Sequence, residues 1–119
     1  DTNSSTCFAV LHYLAEGPHG GTGLYRHKPT KFERITEARC DQYISSAKQY
    51  IEQHGEPEPG YITGSNDHFE KFYEVEYKPN RLVIYPSNLL HSVTVDKTND
   101  LSSDPKNGRL TANIFFEFK

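Results

Sequence analysis

The sequence predicts a mostly β fold with one or two helices. Two observations lead to this prediction. Short segments that are continuously apolar, or that alternate between apolar and polar residues, recur along the chain and are separated by glycine and proline. One stretch, from about residue 36 to residue 54, instead has its apolar residues at a spacing of about 3.6. There is no internal repeat, so we expect a single domain over residues 1–119.

The first half of the chain contains two predicted strands and the helix. Residues 8–14 read Phe-Ala-Val-Leu-His-Tyr-Leu and are typical of a buried strand. Glycine and proline between positions 17 and 23 then turn the chain, and residues 24–27 form a short strand. The helix of residues 37–54 is followed by Gly55, which suits a C-terminal cap.

Four further strands are predicted in the second half, at residues 72–77, 81–85, 90–95 and 109–118. The strand of residues 81–85 is apolar on both faces, as is typical of a central strand. Before these strands, Ser65, Asn66 and Asp67 are expected to cap a short helical turn around Phe69.

Composition excludes several classes of protein. The chain has 13 Lys+Arg and 16 Asp+Glu, a formal charge of −3, so no nucleic-acid partner is expected. The apolar runs are too short to cross a bilayer, and no signal peptide opens the chain. Cys7 and Cys40 form no disulfide pattern and are expected to be buried or half-buried thiols in a reducing compartment, hence a cytoplasmic location.

The last strand presents two different faces. One is apolar and is expected to pack on the helix of residues 37–54; it comprises Leu110, Ala112, Ile114, Phe116 and Phe118. The other comprises Arg109, Thr111, Asn113 and Phe115. An arginine that faces a β cavity needs an anion, because an unpaired buried charge is costly. A ligand carboxylate is a natural partner for it.

His91 is the second candidate site residue. In the strand of residues 90–95 it shares a face with Val93 and Val95. An inward histidine beside an inward Arg–Thr strand is typical of a site that binds a metal and a carboxylate. The alternative is a hydrogen-bonded histidine of the core.

Three blocks of sequence together resemble the iron(II)- and 2-oxoglutarate-dependent oxygenases, in the prolyl-hydroxylase-like branch, and most of all a group of uncharacterised bacterial proteins of that superfamily. Their order and spacing carry the resemblance. The blocks are Phe8-Ala-Val-Leu-His-Tyr-Leu14 with Gly20-Gly-Thr-Gly-Leu-Tyr25, Asn80-Arg-Leu-Val-Ile-Tyr-Pro-Ser-Asn-Leu-Leu-His91-Ser-Val, and Gly108-Arg-Leu-Thr-Ala-Asn-Ile-Phe-Phe116.

The resemblance implies a double-stranded β-helix, a jelly-roll or cupin-like barrel with helices backing one sheet. It also implies an Fe(II) site formed by a His-x-Asp motif and a distal histidine. His91 matches the distal histidine, and Asp1 falls where the aspartate of the motif belongs. Because no residue precedes Asp1, we expect the C-terminal part of a longer protein that lacks the N-terminal strands of the barrel. The alternative for Asp1 is a terminal residue in a flexible arm.

The resemblance further implies that 2-oxoglutarate is a co-substrate. Arg109 matches the arginine that binds its distal carboxylate, and Thr111 would support that carboxylate. Tyr13 matches a tyrosine with the same role in some prolyl hydroxylases; the alternative is an aromatic of the core. For Arg109 the alternative is a surface ion pair. The implied function is a dioxygenase that hydroxylates an unidentified small molecule or peptide.

Two features depart from the family, the long loop of residues 96–108 and the helical insert of residues 29–78. The loop is either a lid or a surface excursion. The remaining histidines match no family ligand and most are expected on the surface: His12, His19, His27, His54 and His68.

Two other functions stay open. One is a binding module on the same fold without metal-dependent activity. The other is an interaction domain that presents Tyr61, Phe69, Phe72 and Tyr73 to a partner, against the alternative that these aromatics pack in the core.

Overall fold

The computed structural model describes residues 7–56, 62–98, 100–101, 104 and 107–118. It confirms the predicted class, mostly β with one helix in the described residues. The elements are β1 (Cys7–Tyr13), β2 (Thr22–His27), α1 (Glu37–His54), β3 (Phe69–Val75), β4 (Leu82–Pro86), β5 (His91–Val93) and β6 (Thr111–Glu117).

The strands form two three-stranded antiparallel sheets with the orders β4-β1-β6 and β3-β2-β5. The central strands are therefore β1 and β2. The prediction that residues 81–85 form a central strand is wrong for the described strands, among which β4 lies at the edge of its sheet. Leu82 and Ile84 are 57% and 58% exposed, so the apolar outer side of β4 belongs to an uncovered sheet face in the described residues.

The core lies on the inner face of β1. Side chains alternate along this strand, so that Cys7, Ala9, Leu11 and Tyr13 are buried while their neighbours are half-buried. Leu11, Tyr13, Ala15 and Tyr77 form the buried apolar cluster. Neither Cys7 nor Cys40 forms a disulfide, and they are buried and half-buried as predicted.

The helix has the predicted bounds but a different neighbour. Gly55 caps it with φ of 81°, and its N–H donates to the Ile51 carbonyl at 2.7 Å. The expectation that α1 covers the apolar face of β6 is wrong, because Ile114 on that face is 61% exposed. Since α1 connects β2 to β3, the chain keeps it beside the other sheet, where Tyr43 contacts His27.

The segment before β3 also differs from the prediction. The Asn66 side chain accepts the backbone N–H groups of His68 and Phe69, at 2.8 and 2.7 Å. This cap closes a turn, but the residues that follow are extended, because Phe69 pairs with His27 at the start of β3. The predicted helical turn around Phe69 is therefore wrong, and the strand begins three residues before position 72.

His27 and His68 form a polar pair beneath α1, contrary to the expectation of surface histidines. His27 is fully buried, with Nδ1 2.6 Å from the Thr30 hydroxyl and Nε2 2.6 Å from Nε2 of His68. The Tyr50 ring stacks on His68 at 4.4 Å, and Tyr43 meets the edge of His27 at 4.8 Å. Burial, and then the neighbouring His68, lowers the pKa of His27 to about 4, and burial lowers the pKa of His68.

The histidine pair makes the stability of the fold pH-dependent. His27 stays neutral in the folded chain, whereas the unfolded chain takes up a proton near pH 6.5. The contribution of neutral His27 to the free energy of unfolding is therefore fully present above about pH 6.5. It is lost as the pH falls toward about 4, and the loss is roughly 3 kcal/mol. Urea unfolding between pH 7.5 and pH 4.5 measures this loss.

The double substitution His27→Phe/His68→Phe replaces both partners with rings of similar shape, so it should flatten this pH dependence. Thr30 keeps a partner, since its hydroxyl also accepts the Phe32 N–H. His12→Asn, on the outer face of β1, is the control and should leave the pH dependence intact. A double variant as pH-dependent as the natural protein would contradict the assignment.

Candidate functional site

A cavity of about 150 Å³ opens between the two sheets. Both sheets contribute residues to it, together with Arg109, two residues before β6. Its lining comprises Ala9, Val10, Leu11, Thr22, Tyr85, His91, Val93, Arg109, Thr111, Asn113 and Phe115. The predicted polar face of the last strand therefore faces this cavity, and so does His91.

Arg109 is held in a fixed orientation at the cavity wall. Its Nε donates to the Gly20 carbonyl at 2.8 Å, and Nη2 donates to the Gly21 carbonyl at 3.3 Å. The guanidinium carbon lies 5.4 Å from the Tyr13 ring centre and 5.7 Å from that of Tyr77. Among the described residues, no carboxylate forms an ion pair with Arg109. The surface ion pair considered for Arg109 is not what the structure shows.

The turn that presents these carbonyls requires glycine at both positions. A Cβ on Gly20 would lie 1.4 Å from the Thr94 carbonyl oxygen, and one on Gly21 would lie 2.0 Å from that of Val75. The turn therefore passes in backbone contact with the chain after β5 and with the end of β3. This close approach explains why glycine occupies positions 20 and 21.

Tyr13 and Thr111 occupy different positions relative to the cavity. Thr111 lines it, two residues after Arg109. Tyr13 is fully buried in the core, with its hydroxyl 2.7 Å from the Thr22 hydroxyl and its ring 4.4 Å from that of Tyr77. Tyr13 therefore contacts both the Thr22 hydroxyl, through its own hydroxyl, and the guanidinium of Arg109, through its ring.

His91 lines the cavity with its side chain accessible. Its Nδ1 lies 2.6 Å from the Leu89 carbonyl, to which it donates, and the ring meets Tyr85 edge-on at 4.8 Å. A donor at Nδ1 leaves the lone pair on Nε2, the tautomer of a metal-ligating histidine. No three His, Cys, Asp or Glu side chains in the described part of the chain form a metal-binding group, and Asp1 lies outside it.

Strand pairing relates His91 to the rest of the cavity lining. Leu24 pairs with His91, and Thr22 pairs with Val93. Thr22 in turn is bonded to Tyr13, which pairs with Thr111, two residues after Arg109. His91 on β5 and Arg109 before β6 therefore approach one cavity from different sheets.

The sequence reasoning missed the buried pair of His19 and Asp100. Both side chains are 3% exposed, and His19 Nδ1 lies 2.7 Å from Asp100 Oδ1. Asp100 also accepts the N–H of Gly20, at 3.1 Å, and that of Asp96, at 2.7 Å. The loop of residues 96–108 is therefore attached at Asp100 to the turn that holds Arg109. Loop residues have no periodicity, so no pattern identified this pair.

The aromatics considered for a partner surface are exposed to different extents. Phe72 and Tyr73 are 39% and 60% exposed in β3, at a register shift where Tyr73 pairs with Leu24 and Lys71 with Tyr25. The Arg26 guanidinium covers Phe72 at 5.3 Å, and Phe69 is half-buried. Tyr61 lies outside the described residues.

Residues 1–116 match the model of a Family of unknown function (DUF6445). The chain belongs to this family. The matched range includes His91 and Arg109, which line the cavity. No curated protein and no solved structure matches the chain significantly. The helix that the described residues form is not apolar enough to cross a membrane.

The contact between Gly20 and Thr94 can be tested by one methyl group. Gly20→Ala should destabilise the protein by about 3 kcal/mol, because the new Cβ meets a backbone carbonyl that cannot rotate away. Gly64→Ala is the matched control, since its Cβ would meet no atom within 4 Å. Chemical denaturation measures both variants. Equal stability of the two would show that the turn is not packed as described.

Proposed function

We propose that this protein is an iron(II)- and 2-oxoglutarate-dependent dioxygenase that hydroxylates a small molecule or peptide. The observation that carries the proposal is that His91 and Arg109 line one cavity, with Arg109 held by backbone carbonyls. An imidazole oriented through Nδ1 and an oriented cation are the groups that a metal and an acidic co-substrate need.

The co-substrate fits the Arg109 end of the cavity. Two of the five guanidinium N–H groups hold Gly20 and Gly21, which leaves three for a ligand carboxylate. The Thr111 hydroxyl lines the same wall and can add a further hydrogen bond. His91 lines the same cavity, so a metal held there would meet the 2-oxo acid end of a short dicarboxylate whose other end is bound by Arg109.

The metal fits the His91 end in part. His91 would ligate through Nε2, and Asp1 is the second ligand that the resemblance implies. The chemistry supplied by bound iron(II) is oxidation by O₂ coupled to decarboxylation of 2-oxoglutarate to succinate. The chain orients His91 through the Leu89 carbonyl and anchors the co-substrate through Arg109, while Leu11 and Val93 give the cavity apolar walls.

The arrangement of strands also supports the proposed fold. A jelly roll has eight strands in two facing sheets. The described residues provide six strands, three in each sheet, and the chain passes between the sheets after β1, β3, β4 and β5. We therefore propose a double-stranded β-helix in which each sheet contains one further strand.

One observation favours a second function, a binding module without metal chemistry. Among the described residues that line the cavity, His91 is the sole side chain of a type that commonly ligates iron. Such a module would use Arg109 to bind an anion and would not need His91. The two functions therefore differ in what loss of His91 does.

His91→Ala should abolish the metal site. The full natural protein is titrated with iron(II) and 2-oxoglutarate under anaerobic conditions, and the visible metal-to-ligand charge-transfer band is recorded. We expect the band in the natural protein and its loss in the variant. His12→Ala, on the outer face of β1, is the control and should keep the band. Absence of the band in the folded natural protein would favour the binding module.

Arg109→Gln should weaken 2-oxoglutarate binding by on the order of 100-fold, because the carboxylate loses its charged partner. Calorimetric titration of 2-oxoglutarate measures the change. Arg81→Gln is the matched control, since Arg81 also donates to a backbone carbonyl, that of Glu76 at 2.7 Å. Unchanged affinity in the Arg109 variant would mean that the co-substrate is anchored elsewhere.

A further inference from the structure

Asp100 gathers three donors at a buried point beside the cavity. Its carboxylate accepts His19 Nδ1–H at 2.7 Å, the Asp96 N–H at 2.7 Å and the Gly20 N–H at 3.1 Å. The side chains of His19 and Asp100 are each 3% exposed. A carboxylate this buried needs several donors, so these contacts constrain one another.

The same glycine connects Asp100 to Arg109. The Gly20 N–H donates to Asp100, and the Gly20 carbonyl accepts from Arg109 Nε at 2.8 Å. A second contact runs through an aromatic ring, since His19 meets the Tyr77 ring edge-on at 5.1 Å and the guanidinium carbon of Arg109 lies 5.7 Å from the centre of the same ring. A shift of Asp100 would therefore move two of the contacts that hold the guanidinium, those with Gly20 and Tyr77.

Asp100 makes no direct ion pair with Arg109. Its carboxylate is bonded to His19 and to two backbone N–H groups. The guanidinium N–H groups that do not hold Gly20 and Gly21 thus stay available for a ligand, while the turn sets the direction of the side chain. A guanidinium that is oriented by neutral backbone carbonyls rather than by a carboxylate is suited to bind an anion.

We propose that Asp100 is a positioning residue, which acts through His19 and Gly20 to aim Arg109 at the distal carboxylate of 2-oxoglutarate. The inference rests on the proposed function and adds a residue to its site. It requires that Asp100 affect ligands with a distal carboxylate and spare ligands without one.

The test compares two ligands in the presence of Mn(II), which prevents turnover. 2-Oxoglutarate has the distal carboxylate, and pyruvate presents the 2-oxo acid end alone. Calorimetric titration of the full natural protein should show Asp100→Asn binding 2-oxoglutarate about tenfold more weakly, with pyruvate affinity unchanged. The asparagine amide nitrogen cannot accept hydrogen bonds, so at least one of the three donors loses its partner. Asp104→Asn, in the same loop, is the control and should bind both ligands normally.

His19 supplies a second route if Asp100→Asn does not fold. His19→Leu removes the donor to Asp100 and should reproduce the selective loss, whereas His19→Asn restores a donor near the Nδ1 position and should recover affinity. In an Arg109→Lys background the Asp100→Asn substitution should have no additional effect on 2-oxoglutarate binding, because the contact it acts through is gone.

The outcomes separate the inference from the proposed function. Equal loss for both ligands, or loss for neither, would overturn the role of Asp100 while the natural protein still prefers 2-oxoglutarate. A natural protein that does not prefer 2-oxoglutarate over pyruvate would overturn the anchoring role of Arg109, and the inference with it.

Discussion

A guanidinium that faces a cavity between two sheets needs hydrogen-bond acceptors for its N–H groups, and to bind an anionic ligand it must not already be paired with a carboxylate of the protein. Arg109 is held by two backbone carbonyls, from Gly20 and Gly21, and by two aromatic rings beneath it. Those carbonyls are in place only because the turn between β1 and β2 passes against the backbone of Val75 and Thr94. The packing of the turn on both neighbouring segments therefore fixes the direction of the guanidinium.

The helix and the cavity are separate parts of the molecule. No described residue between Leu24 and Ile84 lines the cavity, so the described part of the segment of residues 29–78 contributes no side chain to it. The helix α1 is instead packed on the histidine pair, since Tyr43 contacts His27 of β2 and Tyr50 stacks on His68, just before β3. The chemistry of the cavity is thus carried by the inner faces of the sheets and the turns next to them.

Local pattern predicted the strands and the helix to within a few residues, because periods of 2 and about 3.6 follow from backbone geometry. It also placed Arg109, Thr111 and His91 on one cavity, since alternation decides which face a residue joins. Pattern could not assign a partner to an apolar face, and so the packing of α1 and the position of β4 were mispredicted. It could not find His19 with Asp100, which are 81 residues apart and lie in irregular segments.

The order of strands has a consequence for how the chain folds. β1 comes first among the described elements, yet both its neighbours, β4 and β6, come from the second half of the sequence. Contacts so distant in sequence close large loops before they are stabilised, which slows folding. During synthesis β1 therefore emerges before either partner, and its apolar inner residues stay unpaired until β4 and then β6 follow. An unpaired apolar strand is open to aggregation over that interval.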